Sequence, residues 1–127
     1  MLHLARRFAT MASSSLTPME DAIRSKLTAA LAPTTLEIWN DSHKHSHHKA
    51  MEGVTSKETH FRLVITSAAF ASKPQLARHR AVNALLKEEL EREGGIHALQ
   101  LRTLTPEEEE RLMKRAKELE SQGEESK

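Results

Sequence analysis

The segment Thr59-His60-Phe61-Arg62-Leu63-Val64-Ile65-Thr66 constrains the fold more than any other stretch of the chain. Phe61, Leu63 and Ile65 recur with a period of two, which places them on one face of a strand with a buried side. Such a strand needs neighbours in a sheet and a covering layer. Leu36-Glu37-Ile38-Trp39 and Ile96-His97-Ala98-Leu99-Gln100-Leu101 supply two further strands. The covering layer reads as helical. Thr17-Pro18-Met19-Glu20 has the form of a capping box with proline at the first helical position. Met19, Ile23, Leu27 and Ala30/Leu31 follow at helical spacing, and Pro33 stops the run. Pro74 opens a second helix with the stripe Leu76, His79, Val82/Asn83, Leu86 and Leu90, ended by Gly94-Gly95. Thr105-Pro106-Glu107-Glu108 opens a third, with Leu112, Ala116 and Leu119 expected to face inward. The order αββαβα implies an α+β domain: a three-stranded mixed sheet with helices on one face.

The domain should span 17–120. Residues 1–16 contain Arg6, Arg7 and a serine run but no acidic residue, the composition of a mitochondrial targeting segment. Met11 offers a second start that would give a cytosolic form. Residues 121–127 read as a disordered tail. No apolar run reaches the roughly 20 residues needed to cross a bilayer.

The chain has 19 basic and 18 acidic residues, a net charge of +1, so a polybasic nucleic-acid arm is excluded. It has no cysteine and eight histidines. The missing thiol excludes disulfides, a cysteine nucleophile, thiolate zinc sites and any all-cysteine iron–sulfur cluster held by this chain alone. No phosphate loop, Gly-x-Ser-x-Gly, His-Glu-x-x-His or paired catalytic carboxylate occurs, so the chain is not expected to be an enzyme.

Candidate chemistry rests on imidazole. His43, His45, His47 and His48 crowd a long polar loop and can serve as metal ligands near neutral pH. His97 opens the third strand directly after a double glycine, where a partner could reach it. His79 lies on the stripe of the second helix and reads as a core histidine. His60 alternates outward with Arg62. Lys73, Arg78 and Arg80 form a modest basic patch.

Asn40-Asp41-Ser42-x-x-His45, Glu58-Thr59-His60-Phe61-Arg62, Arg78-His79-Arg80-x-Val82-Asn83, Glu88-Glu89-Leu90 and Ile96-His97-Ala98-Leu99 together closely resemble the BolA family. The match runs from about residue 19 to 110, and the leader makes the chain most similar to mitochondrial BolA-like proteins of the histidine-loop type. The resemblance implies a fold related to the class II KH domain. It implies a mitochondrial matrix protein that pairs with a monothiol glutaredoxin and shares a [2Fe-2S] cluster. The partner would contribute a cysteine and a bound glutathione, and the cluster would assist late [4Fe-4S] delivery to client proteins. By position, the implied ligands are His97 and His45, with His43, His47 and His48 as alternatives for the loop ligand. Ser72 stands where many members of the family have glycine.

Two other readings compete. A KH-like nucleic-acid binder or transcriptional regulator would need a Gly-x-x-Gly loop, which Gly53, Gly94, Gly95 and Gly123 do not form. A histidine-loop buffer for zinc, copper or nickel would lose its metal on deletion of 43–48 and would be indifferent to His97.

Overall fold

A computed structural model describes residues 16–42 and 58–125. The elements are α1 (Pro18–Leu31), β1 (Thr35–Asn40), β2 (His60–Thr66), a single 3₁₀ turn (Ala68–Phe70), α2 (Gln75–Leu85), α3 (Lys87–Glu91), β3 (Ala98–Leu104) and α4 (Pro106–Glu125). The sheet order is β1-β2-β3, with β1 antiparallel and β3 parallel to the central β2. This is the mixed three-stranded sheet expected from the sequence.

The alternation in β2 does what its period requires. Phe61, Leu63 and Ile65 are buried against Ile23 and Leu27 of α1 and Val82 and Leu86 of the α2–α3 pair. Arg62 on the same strand is exposed. The second expected helix breaks at Leu86, whose φ of −102° and ψ of 18° leave helical geometry. The break lets Leu86 stay in the core while α3 changes course towards the double glycine. Gly94 has a φ of +76°, which a side chain would strain. A Cβ on Gly95 would meet the Glu89 carbonyl oxygen at 2.2 Å, so this position has no room for one. The two glycines do separate jobs in one turn.

The capping reading divides. Thr105 and Glu108 form the expected reciprocal box: Glu108 N–H donates to the Thr105 hydroxyl at 3.2 Å, and Thr105 N–H donates to the Glu108 carboxylate at 2.7 Å. At α1 the Thr17 side chain caps no backbone amide. Glu58 takes that place, accepting the amides of Met19 and Glu20 at 3.0 Å each. A carboxylate at a helix N-terminus satisfies orphan amides and complements the helix dipole, wherever in the chain it originates.

Helix α4 departs from expectation in two ways. Leu112 and Leu119, expected inward, are 40% and 60% exposed. The core face of the sheet is already covered by α1 and α2. Helix α4 instead starts beside the opposite face, where the Glu109 carboxylate accepts from the hydroxyls of Thr35 and Thr66 at 3.2 and 2.6 Å. Leu112 and Met113 then border a groove of about 690 Å³ that Trp39, Arg62 and Arg102 also line. Later turns leave the sheet. The helix also continues through Glu125, past the end expected at Glu120. Once a helix exists, each added residue gains a hydrogen bond without a new nucleation cost, and 121–125 contains no proline.

Arg78 does not belong to a surface patch. It is 6% exposed. Its guanidinium donates to the carbonyls of Lys73 and Thr103 at 2.8 and 3.2 Å and to the Glu108 carboxylate at 2.7 Å, and it lies over the Phe70 ring. One side chain thus ties the start of α2 to the end of β3 and the start of α4. Ser72, at φ +64°, occupies the left-handed region that favours glycine.

The hydrogen bond from Arg78, followed by that from the Thr105 amide, lowers the Glu108 carboxyl from its ordinary value of 4.5 to about 2. The folded state therefore binds this proton less readily than the unfolded chain. The resulting stability is full above pH 4.5 and is lost as the pH falls towards 2. Urea unfolding across that range should show a shallower pH dependence for Glu108→Gln than for the wild type, and lower stability for the variant at pH 7.

Candidate imidazole site

The strand register assembles the site. In the parallel β2–β3 pair His60 lies opposite Ala98, so His97 arrives one residue before the ladder begins. The His97 amide donates to the Thr59 carbonyl at 2.7 Å, which fixes its backbone against the start of β2. Its side chain is exposed. The two imidazole rings, His60 and His97, stand side by side with centroids 6.3 Å apart and planes inclined by 31°. The Thr59 hydroxyl lies 3.0 Å from His60 Nδ1 and orients that ring.

The histidine loop enters and leaves at this same corner. Ser42 is the last described residue before it and Glu58 the first after it. The Ser42 hydroxyl accepts the amides of Thr59 and His60 at 2.8 and 3.2 Å. Asn40 Oδ1 accepts from the Ser42 amide at 3.0 Å, and the Asp41 amide donates to the His60 carbonyl at 2.8 Å. Glu58, clamped on the α1 amides, anchors the returning strand. Asp41 also pairs with Arg62, whose guanidinium stacks 5.0 Å from the Trp39 ring. The base of the loop is thus closed by short polar bonds that the buried position of Ser42 and Glu58 strengthens.

His43, His45, His47 and His48 lie outside the described residues. His79 is half-buried on α2. It sits on an element other than the two that bring His60 and His97 together. From the sequence alone His97 reads as a reachable strand end and His60 as a surface residue. The signal that joins them is two histidines at the starts of two strands that pair in parallel. Among the described residues no group of three or more histidine, aspartate or glutamate side chains could hold a metal ion. No helix among them is long and apolar enough to cross a membrane.

A model of the BolA family, described as BolA-like protein, matches residues 27–108. The chain belongs to the BolA family. It is 49% identical over 83 residues to the UV-induced protein uvi31 of Schizosaccharomyces pombe, covering 65% of this chain and 79% of that protein. Among solved structures it resembles BolA1 from Arabidopsis thaliana, with 38% identity, a TM-score of 0.63 and coverage of 76% of this chain and 98% of the other. It also resembles the BolA domain of SufE1 from Arabidopsis thaliana, with 37% identity, a TM-score of 0.62 and coverage of 74% and 99%. A curated relative from that plant, SufE-like protein 1, chloroplastic/mitochondrial, is 42% identical over 86 residues, which is 66% of this chain and 23% of that protein. The BolA match contains every element from the end of α1 to the start of α4, and therefore the whole imidazole corner.

Removing the Ser42 hydroxyl leaves two strand-end amides without their acceptor. Ser42→Ala should therefore destabilise the domain by about 1–3 kcal/mol, the range for orphaning buried polar groups. Faster amide exchange should appear at Thr59 and His60 before it appears at Leu63, measured by NMR.

Proposed function

We propose that this BolA protein is a non-enzymatic iron–sulfur assembly factor. It pairs with a monothiol glutaredoxin, shares a [2Fe-2S] cluster with it, and assists late delivery of [4Fe-4S] clusters to client proteins in the mitochondrial matrix. The observation that carries this reading is the closure of the histidine loop onto the strand ends that hold His97. One fixed ligand and one tethered ligand then meet at an exposed corner.

Iron in a [2Fe-2S] cluster accepts imidazole nitrogen in place of thiolate, and two such nitrogens on one iron raise its potential. A chain without cysteine can use that chemistry only with a partner that brings sulfur. Here His97 and His45 complete one iron, and the glutaredoxin cysteine and its bound glutathione complete the other. His97 is held by the backbone bond to Thr59, whereas His45 rides on the loop. Capture then needs only the loop histidine to join a ligand that is already in place. Release needs only the loop ligand to let go. The acid-free leader of residues 1–16 provides the route into the organelle.

The test is reconstitution of this chain with a monothiol glutaredoxin, glutathione, iron and sulfide. Wild type should give a mixed cluster whose visible spectrum differs from that of the glutaredoxin homodimer. His97→Ala should abolish the spectral change, and His45→Ala should make the cluster more labile. An unchanged spectrum and lability in His97→Ala would contradict the ligand assignment. Separately, residues 1–16 fused to a reporter should direct it to mitochondria, read by microscopy and by protease protection.

A further inference from the structure

We infer that the groove on the open face of the sheet receives helix α4 of a second copy of this chain, and that two copies exchange these helices reciprocally. The inference requires neither a glutaredoxin nor a cluster.

Two apolar surfaces of the chain lack a covering layer. The first is the sheet face opposite the core. Leu63 and Ile65 point into the core, so Val64 between them points the other way. The register puts Glu37 and Arg102 on either side of Val64 on that face. Trp39, Leu112 and Met113 add apolar surface to the groove of about 690 Å³ found there. The second surface is α4 itself. Every residue from Glu110 to Gly123 is exposed. A helical stretch of that length is marginal in water without packing. This one has an apolar line through Leu112, Ala116 and Leu119, at the spacing of a face that packs on a partner.

Charge selects the occupant. Glu37 and Arg102 stand two strand spacings apart, about 9.6 Å. Among the described residues neither makes an ion pair or a hydrogen bond. The neighbouring charges are engaged: Arg62 pairs with Asp41, and Glu109 accepts from Thr35 and Thr66. A partner of one charge sign would pair with one of the two and bury the other uncompensated. Helix α4 carries both signs. At 100° per residue, Arg115 and Glu120 lie about 70° to either side of the line through Ala116 and Leu119. Both are exposed, and neither is paired among the described residues. With that line on Val64, one of the two directions along β2 brings Arg115 to Glu37 and Glu120 to Arg102. Each copy has one such groove and one such helix. A one-way seating leaves one of each uncovered, whereas reciprocal exchange uses both and closes as a twofold dimer. The second seating doubles the buried area, which a stable interface of roughly 800 Å² per partner needs.

The test is sedimentation equilibrium on the full chain over a concentration series. Emission from Trp39, the chain's one tryptophan, is the second reading. The wild type should show a monomer–dimer equilibrium, and its emission should move to the blue as the dimer forms. Arg102→Glu and Glu120→Arg should each weaken the dimer about tenfold, because each change acts twice per dimer. Their combination should restore it, and Leu119→Asp should give a monomer. All three positions are exposed, and circular dichroism establishes folding of each variant. A chain that stays monomeric at about 1 mM would overturn the inference and leave the groove to a different protein. So would a dimer that Leu119→Asp leaves intact, or one that the combined charge exchange fails to restore.

Discussion

The parallel pairing of β2 with β3 is the constraint on which the rest of the molecule depends. Parallel neighbours cannot be joined by a tight turn, so the chain must cross over between them. The crossover here consists of the 3₁₀ turn, α2 and α3, and its apolar stripe covers the buried face of β2. The same pairing brings the starts of both strands to one end of the sheet. His60 and His97 are neighbours for that reason alone. A register slip of one residue would reverse the faces of β3 and separate the rings.

Around that frame, three carboxylates act as long-range fasteners. Glu58 joins the end of the histidine loop to the first turn of α1. Glu108 joins α4 to Arg78 and through it to α2 and β3. Glu109 joins α4 to the hydroxyls of the two strands beside it. Each carboxylate is partly or fully shielded, so its bonds are stronger than their solvent-exposed counterparts would be. The structure thus places its rigidity at the two ends of the sheet. One of those ends is where Ser42 and Glu58 flank the segment that bears the four candidate histidines, and short polar bonds hold both flanking residues in place.

The fold was largely legible because its signals are local. The period of β2, the proline and glycine stops and the Thr105–Glu108 box each depend on residues a few positions apart. The motif spacing also led to the family, since its five segments fall in order along one domain. What escaped were interactions between residues far apart in sequence. Arg78 looks like a surface cation beside Arg80, yet Phe70, Thr103 and Glu108 converge on it from three other elements. Thr17 looks like a helix cap, yet Glu58 reaches the same amides from 38 and 39 residues away. Leu112 and Leu119 keep helical spacing, but periodicity cannot tell whether a core face remains for them to cover. His97 was legible as a reachable side chain, and His60 as its neighbour required the register.

The central claim is that imidazole nitrogen from this chain ligates a cluster whose sulfur ligands come from a partner. Pulsed electron paramagnetic resonance on the reduced mixed cluster, prepared with this chain labelled with ¹⁵N at histidine and an unlabelled monothiol glutaredoxin, reads that bond directly. The account predicts ¹⁵N couplings from two histidines, one of which disappears in His97→Ala. A reduced cluster with no ¹⁵N coupling from this chain would contradict it.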